Sequence, residues 1–152
     1  MPDIVHRVGI KAPAANVYKA LATADGVAHW WTDQASGQDG LGNNLSFRFL
    51  SKTGEVIGEM MMQVTKLAVP SAVHWRCVQG PPEWIGTDIT FELSEQDGMT
   101  IVLFAHRNWR ETVEFMHHCS TKWAVFMLSL REYVETGKGR PSPDDIKIDN
   151  WN

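Results

Sequence analysis

Few side chains in this sequence could carry proton chemistry. His106 is the main one. It follows Phe104 on the inward parity of the alternating run Thr100, Val102, Phe104, His106. A neutral imidazole there could hydrogen-bond a polar ligand group or act as acid or base, because its charge changes near neutral pH. The same position suits a core histidine satisfied by backbone or water. His117 and His118 are adjacent, so on a helix they face different ways, whereas helical metal ligands stand three or four apart. There is no HExxH and no CxxC cluster. Gly37, Gly40 and Gly42 precede a strand pattern, not a helix, which disfavours a phosphate cradle. A Ser-His-Asp arrangement cannot be inferred from spacing alone. Cys77 and Cys119 lie far apart in apolar patterns and read as free, buried thiols. No catalytic residue, metal site or cofactor is therefore predicted.

Most of the remaining candidates are apolar. The chain has seven Trp, and large rigid rings either fill cores or line ligand pockets. Trp30 and Trp31 are neighbours. On a helix they point about 100° apart, so one can pack while the other meets a ligand. Phe47, Phe49, Met60, Met62 and Trp75 lie on the apolar faces of successive strand patterns. Phe91 and Phe104 do the same further on, and Trp123, Phe126 and Met127 belong to a helical pattern. Each alone is ordinary core. As a set they are oversized for a small domain, and flexible Met beside rigid aromatics suits a pocket that accepts several apolar shapes. With Trp30, Trp31 and His106 they form the expected ligand-binding set. His106, Arg76 or a loop amide would orient a polar end.

These residues need elements to hold them. From Thr112 to Gly137, apolar residues recur at steps of three and four, the period of one buried helical face. Thr112 is the expected N-cap, and Gly137 suits the left-handed position past the end. At the other end of the chain, Ile4, His6, Val8 and Ile10 read as a first strand. Pro13 then starts a helix carrying Val17, Tyr18 and Leu21, and Asp25 is the expected N-cap of a second short turn. Residues Thr32 to Asn44 read as a long glycine-rich loop of the kind that forms lids. Strand patterns follow over 45–49, 56–64, 73–77, 85–93 and 100–106, with a hairpin signal at Gln96-Asp97-Gly98. Such close spacing predicts an antiparallel meander whose buried face the long helix covers. The tail after Pro141 is expected to pack loosely, anchored by Trp151.

The totals exclude several classes. The chain has 152 residues, which predicts one domain. A net charge of −4 without a Lys/Arg cluster argues against nucleic acid. No apolar run reaches membrane-span length. The N-terminus lacks the pattern of a signal peptide, so a cytoplasmic location is the expectation.

Several segments together resemble the START-like superfamily, also called the Bet v 1-like or SRPBCC fold. They are Ala12-Pro13 to Leu21, Trp30-Trp31-Thr32, Gly86 to Leu93, Val102 to His106 with Trp109, and Trp123 to Leu130 ending in Glu135 to Pro141. The nearest branch is the family named for the activator of Hsp90 ATPase, over residues 1–140, with 141–152 as a tail. The resemblance implies an α+β helix-grip fold: a curved antiparallel sheet around a long C-terminal helix, two short helices after the first strand, and a hydrophobic cavity between sheet and helix. It does not fix function, because the superfamily is varied. The reading favoured here is binding of a small hydrophobic or amphipathic ligand without covalent chemistry. Two alternatives stand beside it: a co-chaperone-like module acting on an Hsp90-type ATPase, and a cyclase or aromatase type of enzyme using His106. The chain would be a monomer or, if Val125 and Leu128 stay exposed, a homodimer.

Overall fold

A computed structural model describes all residues from Met1 to Asn152. The order is β1 (Ile4–Ile10), α1 (Ala14–Ala22), α2 (Ala24–Val27), β2 (Gln34–Gly37), β3 (Asn44–Leu50), β4 (Val56–Ala68), β5 (Ala72–Gln79), β6 (Asp88–Gln96), β7 (Met99–Arg107) and α3 (Glu114–Thr136). The strands form one antiparallel sheet in the order β1-β7-β6-β5-β4-β3-β2. From β2 to β7 every strand pairs with its sequence neighbour, and β1 closes the far edge against β7. This is the expected meander. With α3 against its inner face, it is the helix-grip architecture.

Alternation decides which side chains face α3. In β7, Val102, Phe104 and His106 are buried while Leu103 is half exposed. In β5, Val73, Trp75 and Cys77 are buried while Arg76 is exposed. Arg76 bonds Asp88 on the outer face at 2.9 Å, so it is not available to orient a ligand inside. α1 and α2 cover one end of the sheet with Val17, Leu21 and Val27. They can do so because Gly26 has no side chain: a Cβ there would stand 2.4 Å from the Lys19 carbonyl oxygen.

Several local expectations are corrected. α3 starts at Glu114, with Val113 at the N-cap and no side-chain cap. Met116 is the buried side chain of the first turn, and Thr112 does not cap it. Gly137 ends the helix with φ 87°, as expected. Pro13 stands at the N-cap of α1 rather than inside it. Thr23, not Asp25, caps α2, accepting from the Gly26 N–H at 2.9 Å. The supposed loop from 32 to 44 contains β2, an edge strand paired with β3. β2 is mostly exposed and so lacks the alternation that reveals a strand. Ile85 and Thr87 precede β6 in a turn.

The tail is not loose. The Ser142 N–H bonds the Trp31 carbonyl at 2.8 Å, and the Asp33 N–H bonds the Ser142 carbonyl at 3.2 Å. Asp145 is buried between two lysines. The bonds that fix the tail are polar, and an apolar pattern cannot forecast them.

Candidate functional site

The interior between sheet and helix has two sides of unlike character. On the side of β5, β6 and β7 it is filled. Trp75 meets Phe91 at 5.1 Å between ring centroids, Phe91 meets Phe104 at 5.4 Å, and Phe104 meets Trp123 at 4.6 Å. Trp31 closes this group, at 4.7 Å from Phe47, 5.9 Å from Trp75 and 5.1 Å from Trp123. Trp30 joins the same group, stacked on Trp31 at 6.2 Å and edge-on to Phe91, while its N–H bonds the Ala20 carbonyl at 2.8 Å. These rings interlock as core.

On the side of β3 and β4 the two surfaces part, leaving a cleft of about 440 Å³. One face of α3 forms a wall with Phe115, His118, Cys119, Lys122, Trp123 and Phe126. Those positions recur at three and four and so share one side of the helix. The sheet contributes Phe49, Ile57, Gly58 and Met60, and the turn before β6 adds Pro81, Glu83 and Trp84. Trp31 also borders the cleft, and Trp151 and Asn152 of the tail close it from outside. The volume lies within the roughly 300–1,000 Å³ usual for small-molecule sites, and the lining is mainly apolar with a few polar groups, as such sites are.

The expected binding set therefore divides. Trp31, Phe49, Met60, Trp123 and Phe126 line the cleft. Trp30, Phe47, Met62, Trp75, Phe91, Phe104, His106 and Met127 are buried in the core and do not. Phe115, His118, Cys119 and Lys122 were not anticipated. Their helical spacing from Trp123 and Phe126 was the available signal. Trp151 was expected only as the anchor of the tail, and nothing in the pattern pointed to Asn152.

His106 is fully buried and engaged at both ring nitrogens. The Trp123 indole N–H donates to Nδ1 at 3.2 Å, so Nε2 must carry the proton. Nε2 donates to the Thr87 hydroxyl at 2.8 Å, which in turn donates to the Trp84 carbonyl at 2.5 Å. This chain of donors runs one way and fixes a neutral tautomer. Burial lowers the His106 pKa to about 3. Away from the cleft and with no free nitrogen, it is placed to tie α3 to the sheet and to the turn carrying Trp84.

The two cysteines are free and buried. Burial pushes the Cys77 thiol up to about 11 and the Cys119 thiol up to about 12, the latter despite the Trp84 side chain favouring its thiolate. Thiolate chemistry at neutral pH is disfavoured at both. No group of three His, Cys, Asp or Glu side chains could hold a metal ion. No helix is long and apolar enough to cross a membrane.

The polar part of the cleft is a set of pairs between α3 and the tail. Lys122 Nζ donates to Asp145 Oδ2 and, at 2.9 Å, to the Ile146 carbonyl. Lys147 Nζ donates to Asp145 Oδ1 at 3.0 Å and to the Pro143 carbonyl at 3.1 Å. One turn away, His118 Nδ1 donates to Asp149 Oδ2 at 2.7 Å, and that bond holds the Asp149 carboxyl below its ordinary range. Trp151 rests against the His118 ring at 5.4 Å and Phe115 at 6.4 Å, and remains half exposed.

Residues 11–135 match the family described as Activator of Hsp90 ATPase homolog 1-like protein. Among solved structures, the Aha1 dimer from Colwellia psychrerythraea is 44% identical, with a TM-score of 0.80, over 91% of this chain and 100% of that one. A Staphylococcus saprophyticus protein gives TM-score 0.73 at 15% identity, over 93% of this chain and 98% of that one. An AHSA1-like protein from Aeromonas hydrophila gives 0.71 at 14%, over 90% and 94%. The last two likenesses concern the fold alone. A search of curated proteins finds no match.

Proposed function

Because the chain belongs to the activator of Hsp90 ATPase homolog 1-like family, we propose that it uses the opening typical of a helix-grip interior to bind a small hydrophobic or amphipathic molecule, without covalent chemistry. The observation that carries this reading is the 440 Å³ cleft, which begins where the interlocked rings end and is walled mainly by apolar side chains. Apolar burial would drive binding at about 25 cal/mol per Å² removed from water. Trp31, Trp84, Trp123 and Trp151 border the cleft, so a bound molecule should change tryptophan emission. Titration with a panel of flat aromatic and fatty-acyl probes should give a saturable response. No saturable response across the panel contradicts the reading.

A second reading is an interaction module acting on an Hsp90-type ATPase. It is favoured by the family description and by the 44% identical structure, named an Aha1 dimer. In that case the working surface is outside the cleft. Leu128, 48% exposed on the outward face of α3, is one apolar side chain such a surface or a homodimer would cover. Stimulation of an Hsp90-type ATPase by this chain, unchanged when the cleft is blocked, would select this reading over the first. A monomeric mass in solution would remove the homodimer.

Enzyme chemistry of the cyclase kind has less support. His106 lies outside the cleft with both nitrogens engaged and a pKa near 3, which leaves no acid or base facing a ligand from that position.

A further inference from the structure

The polar groups of the cleft are not evenly balanced. Asp145 is the only carboxylate bonded to Lys122, and its side chain is fully buried. It also bonds Lys147, so two ammonium groups share one carboxylate. Lys122 borders the cleft with its side chain 10% exposed, whereas Lys147 is 39% exposed and reaches water. Lys147 therefore leaves most of its charge to water, while Lys122 is held against Asp145 beside a mostly apolar space, where a charge-assisted bond is screened poorly.

Lys122 is also incompletely bonded. An ammonium has three donors, and Lys122 uses two, on Asp145 and on the Ile146 carbonyl. Its remaining neighbour is the Phe126 ring, whose centroid is 5.1 Å from Nζ. A ring face is a weaker partner than a carboxylate. His118, one turn earlier on the same face, donates from Nδ1 to Asp149, so a second carboxylate already stands near that turn. The other charged group lining the cleft, Glu83, is exposed to water, and its charge acts on Cys119, next to His118 on α3. The α3 wall thus offers one unused ammonium donor at Lys122, and the body of the cleft offers rings and aliphatic side chains.

Building on the reading of the cleft as a ligand site, we propose that it is selective for a molecule with an apolar body and a single carboxylate, the head group bonding the free donor of Lys122 and the body lying against Phe49, Trp84, Trp123 and Phe126. The ligand's carboxylate supplies the third acceptor that Lys122 lacks, in place of the weaker contact with the Phe126 ring. A neutral head group keeps the apolar contacts and loses the charge-assisted bond. A cationic head group offers Lys122 no acceptor and meets its ammonium as repulsion.

The test compares matched probes that differ only in head group: 2-naphthoate, 2-naphthylmethanol and 2-naphthylmethylamine, and in parallel dodecanoate and dodecanol. The two series separate a ring-shaped body from a chain. Affinities are read by tryptophan fluorescence and calorimetry. The carboxylate should bind about ten-fold more tightly than the alcohol in the better series, with the amine weakest. In the Lys122→Gln/Asp145→Asn variant, which keeps an amide pair where the ions were, the carboxylate advantage should fall to about two-fold or less while alcohol binding holds. Lys147→Gln, a change in a half-exposed side chain that does not border the cleft, should lower the advantage by a smaller factor.

If alcohol, amine and carboxylate bind equally, the head-group proposal is wrong while the cleft remains a ligand site. A carboxylate advantage that survives in both variants would also overturn it. If no probe in either series binds, the ligand-site reading fails and takes this proposal with it.

Discussion

Two sides of one interior can be compared directly, because the same helix faces both. Toward β5, β6 and β7, α3 meets a surface of large rings, and Phe104 and Trp123 close to 4.6 Å. Toward β3 and β4 it faces Phe49, Ile57, Gly58 and Met60, of which Gly58 has no side chain and Ile57 is half exposed. Aromatic bulk closes the gap on the first side and leaves it open beside a looser ring pair on the second, with Phe49 and Phe126 at 6.4 Å. The lesson is that apolar parity marks the inner face, while side-chain reach from both surfaces decides whether that face is core or cleft. Stability should therefore reside on the filled side and binding on the open one.

The largest effect is expected where the filled side is emptied. Phe104→Ala should lose about 3–5 kcal/mol of unfolding free energy, measured by denaturant titration. A loss below about 1 kcal/mol would show that the rings are not tightly packed and would break the comparison.

The His106 chain gives the next effect, and its sign follows from linkage. The folded-state pKa, about 3, lies below the ordinary value of 6.5, so the unfolded chain takes up a proton first as pH falls. The stabilisation is complete above about pH 6.5 and is lost progressively toward pH 3, at up to about 1.4 kcal/mol per pH unit from this group. His106→Gln should flatten the profile across that window relative to the parent protein. Identical slopes would mean that the imidazole is not held neutral.

Lys122→Met tests how firmly the tail closes the cleft. It leaves buried Asp145 with Lys147 alone and should cost about 1–3 kcal/mol. Amide exchange in residues 142–152 should speed up more than exchange in β6 and β7. Uniform acceleration would show that the tail and the core open together.

The smallest effect belongs to the open side. Ile57→Ala should change stability by no more than about 0.5 kcal/mol yet weaken binding of an apolar probe several-fold. A large stability loss would mean that this wall is structural.

The sequence made much of this fold legible, for identifiable reasons. β5, β6 and β7 alternate cleanly because one face is buried, and α3 shows its period because one stripe is. β2 was hidden because an edge strand exposed on both faces has no such contrast. The tail was hidden because Asp145, Asp149 and Ser142 hold it through polar bonds between residues distant in sequence. Of the expected residues that border the cleft, Phe49 and Met60 were read from strand parity, Trp123 and Phe126 from the helical period, and Trp31 from its place in the Trp pair. Strand parity gave Phe91 and Phe104 the same standing, because a strand pattern does not register how far the opposite surface lies. Lys122 went unnoticed because a lysine inside a helical pattern ordinarily reads as solvated, and its counter-ion is 23 residues away.

The most direct measurement is a side-chain-resolved NMR titration with 2-naphthoate. The account predicts saturable shifts at the Ile57 and Met60 methyl groups and at the Phe115 ring, with Ile89 and Val102 on the filled side nearly still. Shifts centred on Ile89 and Val102, or none at all, would contradict it.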